Sequence, residues 1–103
     1  MRKEIFYDKN ALKELSGLKE EVQEEFQAYI KTLRQEGKLE YPEARKMAEN
    51  LFEIRVVYEG LYRAFYAYIK NDYIVLLHFF QKKTQKTPLK NLKLAQQRLK
   101  QYD

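Results

Sequence analysis

Apolar residues follow two different spacings along this chain, and the change from one to the other divides it into helical and extended parts. Between residues 18 and 33 they recur every three or four positions, which predicts one amphipathic helix that ends at Gly37. Upstream, Lys3–Tyr7 is typical of a short strand. A short helix follows it, with Asp8 or Asn10 placed to cap its first turn. The first third of the chain is therefore predicted to be mainly helical.

The second half of the chain shows alternation typical of strands. Leu51–Tyr58, Leu61–Ile69 and Tyr73–Phe80 are predicted strands, and the last is apolar enough to be central and covered on both sides. Glu59-Gly60 and Asn71-Asp72 form the turns between them. Because strands joined by such tight turns pair antiparallel, these segments predict an antiparallel sheet.

The remaining segments are predicted to be helical. Pro42 is placed to open a short helical turn whose inner face would be Ala44, Met47, Ala48 and Leu51. Thr87-Pro88 supplies a cap and a first-turn proline for a last helix. The buried stripe of that helix is predicted to be Leu89, Leu92, Ala95, Leu99 and Tyr102. We therefore expect an α+β fold in one domain, residues 1–103, with N-terminal helices packed on a small twisted antiparallel sheet and a C-terminal helix.

Composition narrows the class of protein. A chain of 103 residues suits one compact domain, and nine Tyr and six Phe supply a core. Cysteine is absent, which excludes disulfides and thiolate sites and fits a reducing compartment. No apolar run approaches the ~20 residues that a membrane helix needs, and the first residues lack a signal-peptide core. We expect a cytoplasmic protein with no membrane association.

The net charge of +5 is unevenly distributed. Residues 1–50 hold ten Lys and Arg against eleven Asp and Glu, whereas residues 51–103 hold ten against four. A basic surface that only aids solubility would explain this excess, and so would an electrostatic site for nucleic acid.

Most catalytic constellations are excluded by residue type. The chain has one histidine, His78, and one serine, Ser16, and the serine lies in a turn between helices where nothing positions it for a catalytic triad. A metal site built from His and Cys is excluded. A carboxylate-only site for Mg²⁺ is conceivable, but the acids cluster on the amphipathic helix and not at a strand end, and no glycine-rich phosphate loop occurs, so no metal and no cofactor are expected. His78 sits in an apolar strand and is interpreted as a structural histidine.

Basic residues on the predicted sheet are the remaining candidates. Arg55 and Arg63 fall on comparable rows of two strands joined at Gly60, where two cations repel each other. Either a salt bridge from Glu53 or a bound phosphate would offset that repulsion. A lysine group follows the last strand, consisting of Lys82, Lys83, Lys86, Lys90 and Lys93. Lys86 and Lys90 are candidates for RNA binding, although a solvated loop would also explain them.

Such residues can cleave RNA without a metal. The 2′-hydroxyl attacks the adjacent phosphate, cations stabilise the extra charge on phosphorus, and a lysine of lowered pKa transfers a proton. Tyr66 is the tyrosine we select for stacking on a base, although its face of the strand also suits a core beneath a helix.

The residues from Leu51 to Leu99 resemble the RelE/HigB toxin superfamily in its phage-derived HigB-like branch. The resemblance is carried by LFEIR, a turn, YRAFYAY, IVLLHFFQKKTQKTP and a helix containing AQQRL, whereas residues 1–50 agree only in the order of elements. It implies a RelE-like fold and a toxin of a type II toxin–antitoxin system, an mRNA endonuclease that acts on the ribosome. It also implies a cognate HigA-like antitoxin with a helix-turn-helix domain.

The resemblance implies roles for individual residues. Arg63 matches the strand arginine that contacts the scissile phosphate, and Lys82 and Lys83 match the basic residues that stabilise the transition state or protonate the leaving group. Arg55 matches a basic position that is a lysine in better-known relatives, and an arginine is a poor general base. Where some relatives carry a tyrosine, residues 87–89 of this chain carry Thr, Pro and Leu.

Two other functions fit the same sequence. A ParE-like inhibitor of DNA gyrase would share the fold without needing paired cations around a phosphate. A phage protein that binds nucleic acid without catalysis would need the basic surface alone. Substitution of Arg63 would separate these three hypotheses.

Overall fold

A computed structural model of the chain describes residues 2–70, 73–83 and 88–102. Within these ranges the protein forms five strands, three α-helices and a terminal 3-10 helix. In chain order they are β1 (Glu4–Tyr7), α1 (Lys9–Ser16), α2 (Glu20–Glu36), β2 (Ala44–Ala48), β3 (Leu51–Val57), β4 (Leu61–Ile69), β5 (Tyr73–Lys82), α3 (Leu89–Leu99) and the 3-10 helix Lys100–Tyr102. No helix of the described residues is both long and apolar enough to cross a bilayer.

The five strands form one sheet in the order β1-β5-β4-β3-β2. The pairs β3–β4 and β4–β5 are antiparallel, as predicted from the tight connections, and the pair β2–β3 is antiparallel as well. The β1–β5 pair is parallel, so the expectation of a wholly antiparallel sheet is wrong and the sheet is mixed. The reason is that β1 reaches its neighbour through two helices and three strands, so no turn fixes their relative direction.

The helices cover opposite faces of the sheet, which creates two apolar cores. α1 and α2 pack on one face through Ala11, Leu15, Val22, Phe26, Ile30 and Leu33. α3 packs on the other face through Ala95, against Leu51, Phe65, Ala67, Ile69, Val75, Leu77 and Phe80. The packing of helices on the sheet and the C-terminal helix are as predicted, and the fold is α+β.

The predicted helix signals near the N-terminus are confirmed. The Asp8 carboxylate accepts hydrogen bonds from the backbone N–H groups of Asn10 and Ala11, at 2.8 and 3.2 Å, and so caps α1. α2 ends at Gly37, whose φ of 82° is a left-handed conformation that glycine adopts without a Cβ penalty. The chain therefore enters and leaves these helices where the sequence indicated.

The prediction for the segment around Pro42 is wrong, because Ala44–Ala48 is strand β2 and not a helical turn. The strand pairs with β3, and a β-bulge between Lys46 and Ala48 shifts its register. The bulge brings Met47 and Ala48 together against the core under α3. The apolar spacing that suggested a helix thus arises from an irregular strand.

The start of α3 also differs from the prediction. Pro88 occupies the capping position and Thr87 lies outside the described residues, so the proposed threonine cap is not described. Leu89 is 62% exposed and is not part of the buried stripe, whereas Ala95 is. Tyr102 closes the chain onto its beginning by donating a 2.8 Å hydrogen bond to Asp8 Oδ2.

Candidate nucleic-acid interface

Arg55 and Arg63 are direct partners across the β3–β4 pair, which confirms the predicted row of two cations. The next rows extend the same face of the sheet, because Arg45 on β2 pairs with Glu53 and Lys82 on β5 pairs with Leu61. These positions lie near the β3–β4 turn, whereas most of the apolar residues beneath α3 lie toward the other end of the strands. We call Arg45, Arg55, Arg63, Lys82 and the single acid Glu53 the cationic cluster.

Glu53 anchors this cluster and is almost fully buried, with 1% of its surface exposed. Its Oε1 lies 3.0 Å from Nε of the buried Arg63 and accepts a 3.2 Å hydrogen bond from Nε of Arg45. The Arg63 Nε–H is not well aligned with the carboxylate, so the attraction between Arg63 and Glu53 is mainly electrostatic and not a hydrogen bond. A salt bridge from Glu53 was one of the two expected ways to offset the repulsion between Arg55 and Arg63, and it is present.

One carboxylate does not neutralise four cations. The cluster keeps three formal positive charges, and only Arg55 and Arg45 reach solvent substantially. Burial lowers the pKa of Arg63, the attraction of Glu53 opposes that change, and Arg55 and Arg45 reinforce it. The cluster therefore holds more positive charge than its own residues stabilise, which is the electrostatic setting of an anion site.

Lys82 is the residue of the cluster with the greatest potential for proton transfer. It is 6% exposed, and burial followed by repulsion from Arg63 lowers the pKa of its ammonium group, while Glu53 raises it. A lysine with a lowered pKa is a stronger acid than a solvated one. The predicted place of Lys82 beside the arginines is confirmed.

A small cavity of about 70 Å³ opens at the arginines. Its lining consists of Tyr41, Pro42, Arg45, Glu53, Arg55 and Arg63. Three arginines thus line one space, and Tyr41, which is 80% exposed, lies beside them. Guanidinium groups bind phosphate oxygens in pairs, so the lining suits one phosphate group.

The other predicted lysines are less closely associated with the cavity. Lys83 directly follows β5 and is exposed, and Lys90 is exposed in the first turn of α3. Lys86 lies outside the described residues. Lys83 and Lys90 stay candidates for contacts to a polyanion, but neither lines the cavity.

The structure contradicts the selection of Tyr66 as a base-stacking residue. Tyr66 is 1% exposed and belongs to the core beneath α1 and α2, on the sheet face opposite the cationic cluster. Its ring stacks on Phe52 with centroids 5.4 Å apart and an interplanar angle of 21°. A ring packed in this way has no open face for a nucleobase, so the alternative of a core tyrosine is the correct one.

His78 is a structural residue, as interpreted from the sequence. It is buried on β5, with Nδ1 2.9 Å from Glu14 Oε1 and Nε2 2.7 Å from Asn91 Oδ1. Glu14 also accepts two 3.0 Å hydrogen bonds from the guanidinium of Arg98 and one of 3.1 Å from the backbone N–H of Phe79. The group joins α1, β5 and α3, and its polar atoms satisfy one another.

No metal centre is suggested by the part of the chain that the structure describes, where no three His, Cys, Asp or Glu side chains group suitably. The hydroxyl of Tyr102 is engaged with Asp8, and burial together with that hydrogen bond raises the pKa of Tyr102 to about 12. The chemistry of the site therefore depends on the cationic cluster.

Two residues that line the cavity, Arg45 and Tyr41, were not predicted from the sequence. Arg45 belongs to the segment that was predicted to be helical, and Tyr41 directly precedes that segment; only the β2–β3 pairing brings Arg45 beside Glu53. Alternation within Ala44–Lys46 was too short to indicate a strand. The residue types, an arginine and a tyrosine, therefore fitted an RNA-binding site, but their spacing did not indicate the strand that brings them to it.

Comparisons with known proteins support this picture of the fold. The family model described as "Phage derived protein Gp49-like (DUF891)" matches residues 13–100. No curated protein sequence matches the chain significantly.

Two solved structures are similar to the chain. A mutant of E. coli toxin RelE in the free state is 16% identical, with a TM-score of 0.68 and 98% of each chain covered. A chain of the RelB-RelE antitoxin-toxin complex from Methanococcus jannaschii is 18% identical, with a TM-score of 0.63, covering 76% of this chain and 91% of that one. Its fold is therefore that of these RelE structures, and by the family model the chain belongs to the phage-derived Gp49-like family.

Proposed function

We propose that the protein is the toxin of a type II toxin–antitoxin system and that it acts as a metal-independent endoribonuclease on mRNA, at the ribosome. The observation that carries this proposal is the convergence of Arg45, Arg55 and Arg63 on one phosphate-sized cavity, with Lys82 in the adjoining row. Similarity to solved RelE toxins supports the toxin class.

The proposed chemistry assigns one task to each group. Arg55 and Arg63 bind the scissile phosphate and stabilise the charge that develops on it when the 2′-hydroxyl attacks. The hydroxyl proton leaves to solvent, and Lys82 donates a proton to the departing 5′-oxygen. Glu53 holds Arg63 and Arg45 in place. The products are a 2′,3′-cyclic phosphate and a 5′-hydroxyl end.

Substitution of Arg55 gives the clearest test, because this residue is exposed and its loss leaves no buried partner. We expect Arg55→Ala to fold normally and to lower cleavage of translated mRNA by about 10²–10³-fold. Cleavage is measured by mapping 5′-hydroxyl ends in a translating extract supplied with EDTA-treated protein. Arg34→Ala is the matched control, since Arg34 lies in the last turn of α2 and outside the cationic cluster.

Arg63 needs a different design, because Arg63→Ala would leave the buried Glu53 without its close partner. The double variant Glu53→Gln/Arg63→Gln removes both charges together and keeps similar volumes. We expect it to fold and to lack both cleavage and growth arrest. If it instead arrests growth and inhibits DNA gyrase, the protein is a ParE-like toxin and the nuclease proposal is wrong.

The proposal also names partners. We infer an antitoxin with a HigA-like helix-turn-helix domain, encoded beside this gene, together with mRNA and the ribosome as targets. Co-expression with the neighbouring open reading frame should restore growth and yield a stable complex. A wild-type protein that folds, does not arrest growth and binds RNA without cutting it would instead be a non-catalytic nucleic-acid-binding protein.

A further inference from the structure

Tyr41 stands out because it is a large aromatic residue that is 80% exposed beside the cationic cluster. Tyr41 lines the same cavity as Arg45, Arg55 and Arg63. An aromatic face next to guanidinium groups is the combination that single-stranded nucleic acids bind.

The size of the cavity determines what can enter it. A volume of about 70 Å³ is a few times the ~30 Å³ that one water takes up in the liquid, and it is well below the ~300–1,000 Å³ of pockets that enclose drug-sized ligands. A phosphate group fits such a space, but a nucleoside does not. A base attached to that phosphate must therefore lie outside the cavity, at its rim, where the Tyr41 ring is exposed.

The local sequence restricts the main chain that carries Tyr41. Pro42 follows Tyr41 directly, and a residue before proline is confined to extended conformations. Two residues later the chain enters β2, whose Arg45 is tied to the buried Glu53. Tyr41 is therefore presented on a short restrained segment next to the anchored arginines, and less conformational entropy is lost when a base stacks on it.

We propose that Tyr41 stacks on the nucleobase next to the phosphate that the cationic cluster holds, and so binds single-stranded RNA with that base unstacked from its neighbours. The inference rests on the proposed function and takes the place that Tyr66 does not fill. Tyr41 acts as a substrate-binding residue, not as an acid or base, so its hydroxyl is dispensable and its ring is not.

The test pairs a change in the protein with a change in the RNA. The probe is a short single-stranded RNA with a 2′-deoxy nucleotide at the cleavage position, which blocks reaction, and 2-aminopurine as the neighbouring base. We expect Tyr41→Ala to weaken binding by roughly 5- to 150-fold and to abolish the quenching of 2-aminopurine that stacking causes. Tyr41→Phe and Tyr41→Trp should retain both signals.

An RNA with an abasic site in place of 2-aminopurine completes the comparison. If Tyr41 contacts the base, wild type and Tyr41→Ala should bind this RNA equally. Phe6→Ala is the matched aromatic control, since Phe6 is 50% exposed and lies on β1, at the opposite edge of the sheet from β2. We expect that variant to bind as wild type does.

The outcomes separate this inference from the proposed function. If Tyr41→Ala binds and quenches like wild type while Arg55→Ala loses cleavage, the stacking role is wrong and the nuclease stands. If wild type quenches the probe through Tyr41 but never cuts RNA, the stacking role holds and the nuclease is wrong. If wild type neither binds nor cuts RNA, both are wrong.

Discussion

Glu14 allows a quantitative test of how the two helical layers are joined. Its carboxylate accepts two hydrogen bonds from the Arg98 guanidinium, contacts Nδ1 of His78 and accepts a hydrogen bond from the backbone N–H of Phe79. Phe79 belongs to the part of β5 beyond the end of β1, which pairs only as far as Leu76. Glu14 thus completes the edge of β5 with a side chain where no neighbouring strand continues.

These contacts change the pKa of Glu14. Burial alone would raise it, but the hydrogen bonds from His78, Arg98 and Phe79 outweigh burial and lower the pKa from 4.5 to about 2. A difference of roughly 2.5 units corresponds to at most about 3.4 kcal/mol, and a side chain that is 25% exposed realises less, about 2–3 kcal/mol. Because the folded-state pKa is the lower one, this stabilisation is complete above about pH 5 and is lost as the pH falls through 4.5 toward 2.

Glu14→Gln removes the titrating group and so isolates this effect. We expect the variant to unfold more easily than wild type by about 2–3 kcal/mol at pH 6, and the difference to shrink by about 1–2 kcal/mol at pH 3. Urea unfolding followed by circular dichroism at both pH values gives these free energies. Glu59→Gln is the control, because the Glu59–Lys19 ion pair is exposed and its loss should have no measurable effect at either pH.

The experiment has a clear negative outcome. If the free-energy difference between wild type and Glu14→Gln is the same at pH 3 and pH 6, the carboxylate is not held ionised by its three partners. The assignment of Glu14 as the link between α1, β5 and α3 would then be wrong.

Three further predictions concern buried polar groups. Glu53→Gln should lower the free energy of unfolding by about 3–5 kcal/mol, because it leaves the buried Arg63 without its carboxylate. Urea unfolding measures this loss, and a value below about 1 kcal/mol would contradict the anchoring role of Glu53. Lys82→Met should abolish RNA cleavage yet raise the midpoint of thermal unfolding at pH 7. The reason for the higher midpoint is that burial disfavours the lysine cation, whereas the methionine side chain has a similar length and no charge. A lower midpoint would show that Lys82 stabilises the fold. Tyr102→Phe should lower the free energy of unfolding by about 1 kcal/mol, because the hydrogen bond to Asp8 is lost. The loss should be the same at pH 5 and pH 9, since the pKa of Tyr102 is raised to about 12 and the hydroxyl stays protonated. A loss that varies between these pH values would contradict this role of the hydroxyl.

The parts of the site that local sequence could predict are those fixed by a tight turn. Once Glu59-Gly60 is recognised as the β3–β4 connection, Arg55 and Arg63 are expected on neighbouring rows, and the structure makes them direct partners. A two-residue turn would pair Tyr58 with Leu61, but Tyr58 belongs to the loop and Val57 pairs with Leu61. The β4–β5 connection likewise brings Lys82 near the arginines, but a register shift between Phe65 and Tyr66 sets it opposite Leu61, where a regular register would place Gln81. Short connections therefore predict which strands and rows are neighbours, whereas the exact register depends on loop length and bulges.

The parts that could not be predicted depend on long-range pairing. β2 is short and bulged, and its Ala44–Ala48 segment is held by β3 and not by its own alternation. The direction of β1 is set by packing of the helices that separate it from β5. The selection of Tyr66 for base stacking was wrong because the core encloses its ring, whereas Tyr41, which was not considered, is exposed; the local pattern around each residue leaves its exposure open.

Two groups of buried charges in this small protein differ in the sign of their electrostatic effect. In the group around Glu14, hydrogen-bond partners lower the pKa of the acid, so the charged form is stabilised by folding. In the cationic cluster, burial and mutual repulsion lower the pKa of Arg63 and Lys82, so the charged forms are disfavoured by folding. Within the cluster, Arg63, Lys82 and Glu53 are buried and keep one excess positive charge, while the exposed Arg45 and Arg55 add two more. The anionic ligand of the proposed function would supply the missing negative charge, so that binding gains the electrostatic energy that folding leaves unrealised.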